Sequence, residues 1–272
     1  MKEKSLHAKN KFNKGYNFDE LTKVNPLLKE FVSENKFGTT TIDFANPKAV
    51  KELNKGLLFS FDKITVWDFP DENLCPPIPG RLDYIHHLAD LLSSEENIKI
   101  LDIGTGSGCI PITLAKLFPA AEIVAVDVSE GALKVANSNN DKLETKVTFT
   151  TLDVLTESNW EKLRDFDIIV SNPPYIDGND PHLSQGDVRF EPQTALVAEQ
   201  EGFADLLHII DHSRQHLIDS GWLLMEHGFE QGNQLRDYFI EYGFINVKTE
   251  KDYAGNDRVT LGQWTVNTEN KG

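Results

Sequence analysis

Residues 98–130 read IKILDIGTGSGCIPITLAKLFPAAEIVAVDVSE. A short apolar run ends in Asp102 and runs into a glycine-rich turn, Gly104-Thr105-Gly106-Ser107-Gly108. A helical stretch, CIPITLAKLF, follows, and a second apolar run, EIVAVDVS, ends in Asp127. Strand, turn, helix and strand within about 30 residues predict one right-handed βαβ unit.

The same alternation continues outward. EGALKVANSNN reads as a helix, KVTFTTLD and FDIIVSN as strands, residues 203–218 as a helix and GWLLMEH as another strand. INVKTEKDY and RVTLGQWTV flank the turn-forming AGND and predict an antiparallel hairpin that closes the sheet. Repeated units of this kind predict an α/β fold over residues 98–272: a doubly wound, mostly parallel seven-stranded sheet with helices on both faces. Composition changes near residue 97. Before it lie a Lys/Asn-rich arm (1–17), helices predicted around 18–35 and 47–61, and the Pro-rich FPDENLCPPIPG (69–80), which excludes regular helix. RLDYIHHLADLL follows, with Leu82, Ile85, Leu88, Leu91 and Leu92 at helical spacing. Residues 1–97 therefore predict a small, mainly helical N-terminal region that serves as substrate-recognition or lid region to the domain of 98–272.

The chain has 272 residues, 39% hydrophobic and 26% charged, enough to bury a full core. No apolar stretch reaches bilayer length, and the charged N-terminus lacks the apolar core of a secretory signal, which together predict a cytoplasmic protein. Cys75 and Cys109 are too few for a disulfide framework and lack metal-ligand spacing; free thiols and no metal are expected. The net charge of −16 is uneven: residues 1–63 carry 12 Lys/Arg against 8 Asp/Glu, and residues 98–272 carry 14 against 28. The acidic part repels a nucleic-acid backbone, and only the basic arm suits contact with ribosomal RNA.

In doubly wound sheets ligands bind beyond the carboxyl ends of the strands, where the glycines and acids of this sequence fall. Glycines at 104, 106 and 108 let the backbone turn sharply and meet a ligand closely. The spacing departs from the G-x-G-x-x-G of dinucleotide sites, so a nucleoside cofactor without pyrophosphate fits better, a plain tight turn being the alternative. Asp127 can accept hydrogen bonds from both ribose hydroxyls, or cap its strand; Asp153 can receive an adenine amine, and Val154 can cover the ring.

The next strand exits through SNPPY, residues 171–175. The amide oxygen of Asn172 and the carbonyl of Pro173 can accept both N–H bonds of a planar NH2 group, whose delocalised lone pair makes it a poor nucleophile. Holding that nitrogen toward an electrophilic methyl is useful catalysis. Pro173 and Pro174 stiffen the backbone, and Tyr175 offers a flat face to an amide or base. Glu191 in the following loop either orients the substrate or caps a turn. The histidines at 86, 87, 208, 212, 216 and 227 suit structural roles.

LDIGTGSG, AVDVS and SNPPY together resemble the class I S-adenosylmethionine-dependent methyltransferases that modify planar nitrogens. Over about 98–266, the segments SNPPYIDGNDPHLSQGDVRFEPQTALVAEQEGFADLLHIIDHSR, LLMEHGFEQG and DYAGNDRVTLG resemble release-factor glutamine methyltransferases of the HemK/PrmC type. That resemblance implies methyl transfer to the glutamine amide of the Gly-Gly-Gln motif of peptide-chain release factors. It also implies cofactor contacts from Gly104, Thr105, Gly106, Ser107, Gly108, Asp127, Asp153, Val154 and Asn172, with Glu191 beside the acceptor pocket. The family often has an aromatic residue where Val154 stands. The front differs: LHAKNKFNKGYNFDELTKVNP, IDFANPKAVKELNKGLL and WDFPDENLCPPIPGRLDYIHHLADLL, within about 6–103, resemble the start of the RlmF type of large-subunit rRNA adenine methyltransferases. Those enzymes are expected to carry Asn-Pro-Pro-Phe instead of Asn-Pro-Pro-Tyr. The expected function is release-factor glutamine methylation, with adenine in rRNA as the alternative acceptor and cofactor or RNA binding without turnover as a third possibility.

Overall fold

The computed structural model describes residues 6–65, 67–68, 75, 78–92, 97–184, 188–252 and 255–266. Its contacts group into two compact units: Ser5–Asp83 with Asn179–Ala195, and Tyr84–Gly178 with Leu196–Gly272.

In the first unit, α1 (Phe18–Val24) is capped by the Asn17 side chain, and a 3-10 turn (Pro26–Glu30) follows it. A hairpin, β1 (Val32–Glu34) and β2 (Thr40–Ile42), then precedes α2 (Pro47–Asp62). The helix expected over 18–35 is therefore broken. Pro26 has no N–H to continue α1, and Asn35 holds the hairpin turn by accepting the N–H groups of Phe37 (2.9 Å) and Thr39 (3.1 Å). Asn46 caps α2 through the N–H groups of Lys48 and Ala49, with Pro47 in the first turn. Phe12, Phe18, Leu21, Leu28, Ile42, Leu53 and Leu57 form this unit's core. The segment 69–74 and residues 76–77, part of the Pro-rich stretch, lie outside the described residues. Helix α3 (Ile78–Leu91) starts three residues before the predicted RLDYIHHLADLL, because Pro79 in a first turn has no intrahelical hydrogen bond to lose.

The second unit holds the seven-stranded sheet: β3 (Lys99–Ile103), β4 (Glu122–Asp127), β5 (Val147–Thr151), β6 (Phe166–Ser171), β7 (Leu217–Glu226), β8 (Ile245–Lys251) and β9 (Asp257–Gln263). The spatial order is β5-β4-β3-β6-β7-β9-β8, parallel through β7, with β9 antiparallel to both β7 and β8. The period-two pattern explains why these segments are strands. Leu101, Ile103, Ile169, Leu223 and Met225 point to one face, and Ile100, Ile168, Val170 and Leu224 to the other. On the first face pack Leu206, Ile209 and Ile210 of α7 (Ala204–Ser213) and Leu235 and Phe239 of α8 (Gly232–Glu241). On the second pack Tyr84, Ile85 and Leu88 of α3 and Ile112 and Leu114 of α4 (Cys109–Leu117). Helix α5 (Glu130–Lys142), capped by Ser129, buries Leu133 and Ala136.

One local expectation changes, and two elements are added to it. The helix predicted to 218 ends at Ser213, because Leu217 already belongs to β7, which begins four residues before GWLLMEH. Helix α8 was not anticipated, although Leu235 and Phe239 are spaced one turn apart. A short element, α6 (Glu199–Gly202), is a turn in which Gln200, Glu201 and Gly202 have φ of 53°, 58° and 85°. Cys75 is buried and Cys109 exposed, and the two are not joined in a disulfide. No described helix is long and apolar enough to cross a membrane, and no group of three potential metal ligands occurs among the described residues.

Candidate functional site

Strands β3 and β6 are parallel neighbours, with Ile103 paired to Ser171, so Gly104 and Asn172 leave the sheet side by side. The Ser171 hydroxyl donates to the Ile103 carbonyl at 3.0 Å, and a Cβ on Gly104 would stand 3.9 Å from the Asn172 carbonyl oxygen. The turn is tied to the next strand as well. The N–H groups of Gly104 and Thr105 both donate to the Val126 carbonyl (2.9 and 3.1 Å), and the Asp127 carboxylate accepts the N–H groups of Gly106 and Ser129 (both 2.8 Å). The turn needs its glycines for two reasons. Gly104, Gly106 and Gly108 have φ of 72°, 56° and 80°, and a Cβ on Gly108 would lie 2.9 Å from Ile112 Cδ1.

Three features of the turn suit a nucleoside cofactor. Among the described residues nothing lies within 4 Å of the point a Gly106 Cβ would occupy, so the turn borders open space. The Thr105 hydroxyl is buried and has no hydrogen-bond partner among the described residues. Asp127 uses two of its roughly four acceptor positions on backbone N–H groups, leaving two for ribose hydroxyls. Ser107 is exposed, and its carbonyl accepts the Asn139 side chain at 3.0 Å. Asp153, at the end of the neighbouring strand segment, is exposed; its oxygens accept Leu155 N–H (2.9 Å) and the Thr156 hydroxyl (3.2 Å). The half-buried Val154 rests on the core, and its carbonyl accepts Trp160 Nε1 (2.6 Å) and His208 Nε2 (2.8 Å). The residues present thus fit a nucleoside with a free ribose.

The Asn172–Tyr175 turn is held from behind. Pro173 is buried, while Asn172, Pro174 and Tyr175 are half-buried. Tyr175 and Ile176 N–H donate to the Leu196 carbonyl at 3.2 and 2.9 Å, and Ala198 N–H returns to Ile176 at 3.1 Å. The Asn172 side-chain amide makes no hydrogen bond among the described residues, so its oxygen stays available for an incoming N–H. Glu191 is half-buried at the end of a 3-10 turn (Val188–Phe190), and its N–H donates to Val188 at 3.1 Å. It belongs to Asn179–Ala195, which groups with the first unit, so the sheet unit by itself does not bring it to Asn172. Sequence reasoning passed over Gln231, which contacts the Tyr175 carbonyl at 3.1 Å, and Tyr84, whose buried hydroxyl is pushed well above its usual pKa by burial and then by the negative charges of Glu226 and Asp102.

His208, His212, His216 and His227 each have a ring nitrogen within hydrogen-bond reach of a backbone carbonyl. His227 is fully buried, with Nδ1 2.8 Å from the Gly228 carbonyl and Nε2 2.9 Å from the Thr260 hydroxyl. Since a carbonyl only accepts, Nδ1 carries the proton and Nε2 accepts. The chain then runs one way: Arg236 Nη1 donates to the Thr249 hydroxyl (2.7 Å), Thr249 to Thr260 (2.8 Å), and Thr260 to His227. Burial lowers the pKa of His227, and it is also the main cause of the lowering at His208 and His216. A depressed base is neutral in the fold and takes up its proton more readily when unfolded. Its stabilisation is present above the unfolded pKa of about 6.5 and is lost as pH falls toward the folded value. The thermal midpoint is therefore expected to stay level from about pH 8 to 7 and to drop below about 6.5. His227→Gln should shrink that drop, and a midpoint independent of acid pH would contradict the neutral-histidine network.

The chain matches, over residues 1–198, a family described as RNA methyltransferase. It is 58% identical over 171 residues to the release factor glutamine methyltransferase of Aliivibrio fischeri, a match covering 61% of this chain and 58% of that protein. It is 48% identical over 173 residues to the protein of the same name from Escherichia coli, covering 62% and 61%. The chain thus spans about three-fifths of the length of these curated relatives. Among solved structures it is similar to the hMettl16 catalytic domain in complex with the MAT2A 3′UTR hairpin 1, with a TM-score of 0.69 and 23% identity over 97% of this chain and 96% of that one. It is also similar to the N-terminal domain of human METTL16 in complex with SAH, with a TM-score of 0.64 and 23% identity over 97% and 100%. These two likenesses show the fold.

Proposed function

The chain belongs to the RNA methyltransferase family whose pattern it matches over residues 1–198; from its site and its curated relatives we propose that it transfers a methyl group from S-adenosylmethionine to the side-chain amide nitrogen of the glutamine in the Gly-Gly-Gln motif of peptide-chain release factors. The observation that carries the reading is the Ile103–Ser171 pairing, which sets the Gly104 turn beside Asn172. The identities of 45–58% to proteins named release factor glutamine methyltransferase support the choice of acceptor.

Gly104, Thr105, Gly106, Ser107, Gly108 and Asp127 hold the cofactor, with Asp153 and Val154 on its adenine side. When bound, S-adenosylmethionine supplies an electrophilic methyl group on a sulfonium sulfur. Asn172 Oδ1 and the Pro173 carbonyl accept the two N–H bonds of the glutamine amide, so that its nitrogen faces that methyl. Tyr175 lies against the amide plane, and water takes the released proton. This assignment needs no metal. The setting is cytoplasmic, and the basic arm of residues 1–17 is the part suited to touch ribosomal RNA.

The second reading, adenine methylation in large-subunit rRNA, is favoured by the family description over residues 1–198, which includes the basic front. The two are separated by incubating the protein with labelled S-adenosylmethionine and either intact release factor or a release factor lacking the Gly-Gly-Gln glutamine. Label in the first alone supports the proposal; label in both, or in neither, overturns the glutamine assignment. Cofactor binding has its own check. At about 100 times its Kd, a ligand of the folded state adds about 2.7 kcal/mol of stability, so S-adenosylmethionine is expected to raise the thermal midpoint, and an unmoved midpoint contradicts the cofactor site.

A further inference from the structure

Gln231 stands immediately before α8, where a polar side chain ordinarily caps the helix. It does not cap: its side chain makes no bond to the first turn of α8. Every hydrogen bond recorded for its side chain leads elsewhere. Oε1 accepts Gly228 N–H at 2.9 Å, and Nε2 donates to the Tyr175 carbonyl at 3.1 Å and, more weakly, to the Glu201 carbonyl at 3.5 Å. The amide orientation is fixed by chemistry, since only oxygen can face the N–H and only nitrogen the carbonyls. Gly228 is in turn gripped by His227, so the amide of Gln231 is the last link of the chain that starts at Arg236.

The surroundings are cleared for this side chain. A Cβ on Gly202 would stand 2.2 Å from the Tyr175 carbonyl oxygen and 3.0 Å from Gln231 Nε2; one on Gly228 would stand 3.0 Å from Gln231 Oε1. Glu201, which offers the second carbonyl, sits in the left-handed conformation at φ 58°, a strain that persists only where the surroundings enforce it. Tyr175 is thereby pinned through both of its backbone polar groups, the N–H by Leu196 and the carbonyl by Gln231. Two prolines, short of rotational freedom, connect that fixed point to Asn172.

We propose that Gln231 is a positioning residue for the methyl acceptor site: by holding the Tyr175 carbonyl it fixes Asn172 and the Pro173 carbonyl in line with the cofactor turn. This rests on the assignment of Asn172–Tyr175 as acceptor site given above. Gln231→Glu keeps the acceptor for Gly228 but, when ionised, has no hydrogen to give Tyr175; when protonated it regains one. Gln231→Leu removes both functions.

The test has two arms on the full chain. The first is hydrogen exchange at the Tyr175 and Ile176 amides without substrate. Exchange is expected to quicken at least ten-fold in Gln231→Leu, while amides of β3 and β4 keep wild-type rates. The second is kcat with release factor. It is expected to fall about 10- to 100-fold in Gln231→Leu with S-adenosylmethionine Kd within about three-fold, and the Gln231→Glu to wild-type ratio of kcat is expected to rise as pH falls from about 7 to 5, toward the ordinary glutamate pKa of about 4.3. Unchanged exchange overturns the proposal, as does faster exchange with full kcat or a Gln231→Glu ratio flat with pH. If Gln231→Leu does not fold, Gln231→Glu carries both arms. If the wild type labels RNA instead of release factor, the acceptor assignment fails and kcat is read on RNA. If it labels neither, the exchange arm decides alone.

Discussion

Asn172→Ala is expected to lower methyl transfer to release factor about a thousand-fold while leaving S-adenosylmethionine affinity within about three-fold. Removing one preorganised hydrogen-bonding group aimed at the reacting centre costs about 10²–10³ in kcat in other enzymes, and here the side chain also selects the orientation of a poor nucleophile. The prediction is sharp because Asn172 contributes little to the fold. Its side-chain amide has no hydrogen bond among the described residues, and the anchoring of the strand end falls to Ser171, which donates to Ile103 at 3.0 Å. Asn172→Asp, which keeps an acceptor oxygen, is expected to lose less. Stopped-turnover kinetics beside calorimetric cofactor titration separates the cases: equal loss of kcat and of cofactor binding would mean that Asn172 serves the cofactor and not the acceptor.

Gly202→Ala should be the most damaging single methyl in the sheet unit. The residue has φ of 85°, and the added Cβ would lie 2.2 Å from the Tyr175 carbonyl oxygen and 2.7 Å from its carbon. The left-handed conformation costs an alanine about 1–2 kcal/mol. Overpacking against backbone, which cannot swing aside as a side chain can, adds about 1–3 kcal/mol. For a domain of this size the sum corresponds to a fall of about 10 °C in thermal midpoint. Any relief must push the Tyr175 carbonyl away from Gln231, so activity should fall further than stability alone explains. Gly106→Ala is the contrasting case. Its φ is 56°, but none of the described residues lies within 4 Å of the new atom, so the midpoint should fall only by the backbone cost while cofactor affinity falls because the methyl enters the open space beside the turn. Thermal denaturation of both variants, with and without S-adenosylmethionine, tests this; similar midpoints for the two would contradict the tight packing at Gly202.

Much of the sheet was legible because β3, β4 and β6 are buried on both faces and end in recognisable punctuation, Asp102 before Gly104, Asp127, and Ser171-Asn172 before two prolines. Once the parallel topology was inferred, the nearness of Gly104 and Asn172 followed from strand adjacency rather than from chain distance. What escaped depends on contacts with no local sign. Leu217 and Ile218 read as continuing the helix before them, yet β7 takes them because the Phe166–Leu217 pairing places Leu217 in the core. The β1–β2 hairpin is only three residues per strand, too short for an alternation to stand out. Gln231 carries no sign of its role in the sequence; its partner Tyr175 is 56 residues away, and only the folded chain shows that the side chain turns from its helix to the acceptor turn. Glu191 is the opposite case, singled out through resemblance and found in a segment that groups with the other unit.

The most direct measurement offers purified release factor and protein-depleted large-subunit rRNA together, at equal concentration, to the protein with labelled S-adenosylmethionine, and locates the label by mass spectrometry. The account predicts a single added methyl on the Gly-Gly-Gln glutamine and none on RNA. Label on adenine with the release factor unmodified would contradict it and assign the acceptor site to RNA.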